Sequence, residues 1–116
     1  MPATVINDLA AELDIPPDGT LSRALYRDDR LRVIGFAFDA GQELTEHTSA
    51  VPVVIQVVRG RLALTFGEEQ AEAVPGTWIH LPARLPHTVL AIEPTIMLLT
   101  MLPTPNEPSG ADARPA

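Results

Sequence analysis

The chain has 116 residues, 46% of them hydrophobic, with 15 acidic against 8 basic side chains, a formal charge of −7 and no cysteine. That length and apolar content fit one globular domain and leave no room for a second core; the missing thiols exclude disulfides and thiolate metal sites; the acidic balance argues against nucleic acid or an anionic membrane surface as partner. The longest apolar run, residues 51–58, is broken by Pro52 and Gln56 and is too short to cross a bilayer, and the Met-Pro-Ala-Thr start lacks a signal-peptide pattern, so a soluble, cytoplasmic protein is expected.

In chain order, Val5, Ile6, Leu9, Ala10 and Leu13 recur at helical spacing. They predict a short amino-terminal helix lying against the outside of the remaining domain. Pro16-Pro17 stops it and Asp18-Gly19 turns the chain, so residues 1–20 form a helical segment and turn. From Ser22 the period becomes two. Strands are predicted over residues 31–38, 51–59, 61–66, 71–74, 77–81, 88–92 and 95–101, separated by Asp39-Ala40-Gly41, Gly60, Gly67-Glu68-Glu69 and Pro75-Gly76. Short strands with frequent turns indicate an all-β barrel or sandwich over residues 21–102. Residues 103–116, rich in proline and small side chains, are expected to form a disordered tail.

One strand is apolar on both faces: Val53, Ile55 and Val57 form one row, and Val54 and Val58 flank Gln56 on the other. One row faces the interior and the other needs a cover, either the amino-terminal helix or a second subunit. A homodimer is the preferred expectation.

Two stretches together resemble the paired motifs of the cupin superfamily. Gly41, His47 and Gly60 match the first motif, with Ser49 at its second histidine position and Val53 at its glutamate position. Gly76, Pro82 and His87 match the second, with Arg84 in place of a glycine and Ala91 in place of an asparagine. The resemblance covers roughly residues 31–101. It implies an RmlC-like fold, an antiparallel double-stranded β-helix (the jelly-roll cupin barrel), here with the short amino-terminal helix. The glycines also have a physical use, since chain reversals often need positive φ.

In metal-binding cupins, two histidines and a glutamate of the first motif converge with the histidine of the second on a transition metal. Here the match carries over to His47 and His87 only, so a divalent transition metal would have an incomplete ligand set. His80 and Gln56 are out of phase with the core-facing residues. Glu43 has the right parity but lies near the rim. Thr45 and Ser49 share parity with His47.

The expected site is therefore an apolar pocket between the sheets, lined by Thr45, His47, Ser49, Val53, Ile55, Ile79, Leu81 and His87, holding a small organic ligand through the two histidines. The alternative is a metal-dependent cupin enzyme of dioxygenase, isomerase or decarboxylase type. The residues leave open whether the protein is an enzyme, and which ligand or reaction it serves.

Overall fold

The computed structural model describes residues 2–103; Met1 and all but the first residue of the predicted tail lie outside the described residues. Among the described residues nine strands succeed one another: β1 (Thr20–Arg27), β2 (Arg32–Phe38), β3 (Glu43–His47), β4 (Val53–Arg59), β5 (Leu62–Phe66), β6 (Glu69–Ala73), β7 (Trp78–Leu81), β8 (His87–Ala91) and β9 (Thr95–Met101). They form two antiparallel sheets, a five-stranded one in the order β1-β2-β9-β4-β7 and a four-stranded one in the order β3-β8-β5-β6. This is the all-β jelly roll that the two motifs imply.

The period-two pattern decides which side chains fill the space between the sheets. Ile34, Phe36 and Phe38 of β2, Val53, Ile55 and Val57 of β4, and Met97, Leu99 and Met101 of β9 face inward from the larger sheet. Leu62, Leu64, Val89 and Ala91 meet them from the smaller one. Each buried large side chain contributes about 1.5–3 kcal/mol of transfer free energy. Two strands, β1 and β3, are absent from the expected set. Most of β1 is exposed, including Leu21 at 42%, and β3 is mostly polar, so neither carries a strong apolar alternation.

No α-helix forms among the described amino-terminal residues; the predicted helix is a single 3-10 turn, Leu9–Glu12. Asp8 makes no side-chain capping bond, and Leu13 is already extended at φ −135°. A segment this short cannot offset helix nucleation by itself, so its apolar side chains are used in tertiary contact instead. Leu13 is buried with Ala37 and Ile96 on the outer face of the large sheet, and Ala10, Ile15, Leu25 and Val58 pack around them. Gly35 makes this seat possible, because a Cβ there would stand 2.6 Å from Leu13 Cδ1. The chain's own amino terminus thus covers the Val58 end of the doubly apolar strand. Further along the same outer face, Trp78 is 62% exposed.

Gly60 turns β4 toward β5 at φ 100°. A Cβ at this position would collide with the carbonyl of Pro94 and with Thr95, so the reversal requires both the positive φ and the missing side chain.

Candidate functional site

The chain leaves β3 at His47 and enters β4 at Val53; it leaves β7 at Leu81 and enters β8 at His87. Both connections cross between the sheets at the same end of the barrel. The Arg84 N–H donates to the Ser49 carbonyl at 2.7 Å, stitching the two connections together. Arg84 stands where the cupin motif has glycine, and its φ of 67° is in the left-handed region that glycine adopts without cost.

His47 and His87 are direct partners across the β3–β8 ladder, and Phe66 of β5 pairs with His87 on its other side. The two imidazole rings lie 4.3 Å apart between centroids, tilted by 59°. A carbonyl oxygen can only accept, which fixes both tautomers: His47 Nδ1–H donates to the Thr45 carbonyl at 2.6 Å, and His87 Nδ1–H to the Leu85 carbonyl at 2.9 Å. With Nδ1 committed to a carbonyl, Nε2 is the nitrogen that each ring offers as an acceptor when neutral. Both Nε2 atoms are buried and have no hydrogen-bond partner. His87 is 2% exposed. Burial first, and the neighbouring His47 second, hold its pKa below the ordinary histidine value against the opposing pull of the Leu85 carbonyl. His87 is thus held neutral.

The opposite wall comes from the larger sheet. Arg32, Met101, Val53 and Leu81 are successive partners across β2, β9, β4 and β7, forming one row at this end of the barrel. Ile55 pairs with Ile79 one row deeper. Val53, Ile55, Leu81 and Ser49 are buried, and Ile79 is half-buried. Ser49 uses its hydroxyl oxygen to accept the Val51 N–H at 3.3 Å.

Thr45 differs from the expectation. One extra residue in β3, between the Leu44–Val89 and His47–His87 pairs, shifts the phase. Leu44 and His47 consequently both point inward, while Thr45 is exposed and contributes only its carbonyl. Trp78 and His80 stack on each other at the outer surface, as their parity requires, and Gln56 is exposed as well. Glu43 borders a groove of about 460 Å³ on the outside of the smaller sheet, with Gln70, Glu72, Thr65 and Thr88, away from the imidazoles. Sequence reasoning did not single out Leu44, Phe66 or Arg32. For Arg32 a signal existed: it is in phase with Ile34, Phe36 and Phe38, an arginine on the core-facing row.

A resident metal does not fit this donor set. Two imidazoles lie side by side, but Ser49 and Val53 occupy the other ligand positions of the motif, and neither supplies an anionic oxygen. Among the described residues no three histidine, cysteine or carboxylate side chains are grouped to hold an ion. No described helix is long and apolar enough to cross a membrane.

No family model matches the chain, and no curated protein matches it. Solved structures do. A conserved protein of unknown function from Streptococcus pyogenes shares 30% identity and a TM-score of 0.79, covering 90% of this chain and 91% of that one. A cupin superfamily protein from Desulfitobacterium hafniense aligns with a TM-score of 0.80 at 23% identity, over 90% of this chain and 95% of the other. An RmlC-like cupin from Desulfovibrio desulfuricans aligns at 0.73 and 21% identity, over 88% and 96% of the two chains.

Proposed function

Given that the chain is a small protein of the cupin fold, we propose that its barrel binds a small hydroxylated organic molecule, whose hydroxyl protons go to Nε2 of His47 and His87. The observation that carries this reading is the pair of buried, unpartnered Nε2 atoms on imidazole rings 4.3 Å apart across adjacent strands. Each buried acceptor left without a donor costs about 1–3 kcal/mol. A ligand hydroxyl relieves that cost. An acceptor-only group does not, so neutral imidazoles select donors. On this reading Val53, Ile55, Ile79, Leu81, Phe66 and Leu44, all of them packed in the barrel core, would supply the apolar wall, and buried Ser49 a further hydroxyl.

The test is a titration of the full chain with glycerol and with its fully methylated ether, monitored through the histidine ring resonances. Saturable shifts of both rings with glycerol, absent with the ether and lost in His47→Ala and His87→Ala, support the reading. Equal binding of glycerol to wild type and both folded variants overturns it.

A second reading, a metal-dependent enzyme, draws on the same Nδ1-to-carbonyl arrangement, which also orients metal-bound imidazoles. It requires a third ligand that the described residues do not provide. Elemental analysis of protein purified without chelator separates the two: stoichiometric metal favours the enzyme, and a metal content near zero favours the organic ligand.

A further inference from the structure

Three buried side-chain nitrogens lack a hydrogen-bond partner among the described residues, and the third, besides the two imidazole Nε2 atoms, is Nε of Arg32. Its position is set by the fold. Arg32 opens β2 on the same face as Ile34, Phe36 and Phe38, and its ladder partner is Met101, which pairs in turn with Val53. Val53 starts β4, and residues 48–52 connect it directly to His47 at the end of β3. The unpartnered guanidinium nitrogen and the imidazoles therefore belong to one end of one barrel, on opposite sheets.

The charge at this place is unbalanced. The chain carries 15 acidic side chains, yet the ion pairs among the described residues, Arg23–Glu12 and Arg61–Glu72, lie at the surface and leave Arg32 without one. A guanidinium cannot escape burial by losing its proton, unlike a lysine or histidine, so the buried Nε–H of Arg32 without an acceptor is a standing cost. Nε with the adjoining Nη forms the edge that takes two oxygens of one carboxylate or phosphate.

We propose that Arg32 is the anion-recognition residue of this site, and that the ligand is a small hydroxy acid: an anionic group on the Arg32 guanidinium and a hydroxyl on the imidazoles. The hydroxyl half rests on the function proposed above; the anionic half rests on Arg32 alone. The division of labour is chemical. Neutral imidazoles with bare Nε2 atoms offer nothing to a carboxylate, whereas a guanidinium has donors and no acceptor. An overall charge of −7 gives no long-range attraction for an anion, so recognition has to come from this local contact. A carboxylate and a phosphate ester satisfy the guanidinium edge in the same way, and the experiment distinguishes them.

The measurement is a titration of the ¹⁵N-labelled full chain, reading the Arg32 Nε–Hε resonance and the histidine rings. The probes are glycerate, its neutral amide, glycerol and inorganic phosphate. The expected result is that glycerate moves Arg32 and both rings with one saturation curve, and the amide binds at least tenfold more weakly. Arg32→Gln should remove that preference for the acid, and Arg32→Lys, which keeps the charge but not the two-donor edge, should recover only part of it. Phosphate displacing glycerate at lower concentration assigns the anion to the phosphate class; the reverse order assigns it to carboxylates. Glycerate and amide binding equally, or Arg32→Gln retaining the acid preference with its spectrum folded, overturns the role of Arg32 while the hydroxyl site stands. Arg32 responding while the rings stay silent overturns the hydroxyl site and keeps the anion site. Silence of Arg32 toward every probe overturns the inference.

Discussion

The two ends of the barrel treat buried polar atoms in opposite ways. At the end where β9 begins, Thr95 is fully buried, and its hydroxyl accepts the Arg61 N–H at 3.0 Å while lying 3.1 Å from the Arg61 carbonyl and 2.7 Å from that of Glu93. Gly60 closes over it with no room for a side chain, and Phe38 is Thr95's neighbour across the ladder. At the other end, Nε of Arg32 and Nε2 of both histidines are buried with no partner. One end has satisfied its polar groups within the chain and is built for stability. The other leaves three of them without a partner among the described residues, and these are the atoms that the proposed ligand would complete.

Substitutions should separate the two ends, and the largest effect belongs to the closed one. Phe38→Ala, which empties a fully buried ring stacked 5.8 Å from Phe36, is expected to cost about 3–5 kcal/mol in urea unfolding, without altering ligand response at the histidines. Val53→Glu places a carboxylate at a buried position of the open end. It is expected to cost about 3 kcal/mol without metal, because a buried charge is left unpaired, and to recover stability on addition of nickel or zinc. No metal-dependent rise in Tm would show that the two imidazoles cannot share an ion even with a carboxylate beside them.

The pH dependence comes next and belongs to the open end alone. His87 has its pKa lowered in the fold by burial and by His47, so the unfolded chain binds the proton more readily. Stability is then fully present above the ordinary histidine value of 6.5 and is lost as pH falls from there through the depressed folded value. Wild type should lose stability in that window, and His87→Gln should lose less. Equal slopes in the two proteins would show that His87 is not the group responsible. A smaller effect is expected at Arg84, whose left-handed backbone costs about 1 kcal/mol: Arg84→Gly should raise stability by no more than that, and a drop would mean that its side chain contributes a contact. The smallest is Trp78→Ser on the outer face. We propose that this face is where a second copy of the chain packs, so the substitution should change monomer stability by less than about 0.5 kcal/mol while shifting a homodimer toward monomer in light scattering. An unchanged mass would remove Trp78 from any such interface.

The apolar runs of β2, β4 and β9 and the alternation of β5 are enough to predict those strands, because each buries one full row against the opposite sheet. Apolar patterning fails at the amino terminus, where helical spacing of Leu9, Ala10 and Leu13 reflects docking onto Gly35 and Ile96 instead of a helix. A pattern of apolar residues states that they are buried, not which backbone carries them. In the site, parity correctly separates Val53 and Ile55 from Gln56, and Leu81 from His80. It misplaces Thr45 because one inserted residue in β3 resets the phase, and such an insertion leaves no mark on composition.

The sequence by itself determined seven of the nine strands of the described residues, the turns at Gly41, Gly60 and Gly76, all of which have positive φ, and the shortage of metal ligands at Ser49 and Val53. Those properties are local: they depend on side-chain type and on spacing of a few residues. Only the tertiary structure decided that His47 and His87 pair with their Nε2 atoms buried and unpartnered, and that Arg32 shares their end of the barrel. Those facts arise from pairing β3 with β8 and β2 with β9, between residues 40 and 69 positions apart in the chain. No local pattern encodes such contacts, because they form only when the two sheets close around a common core.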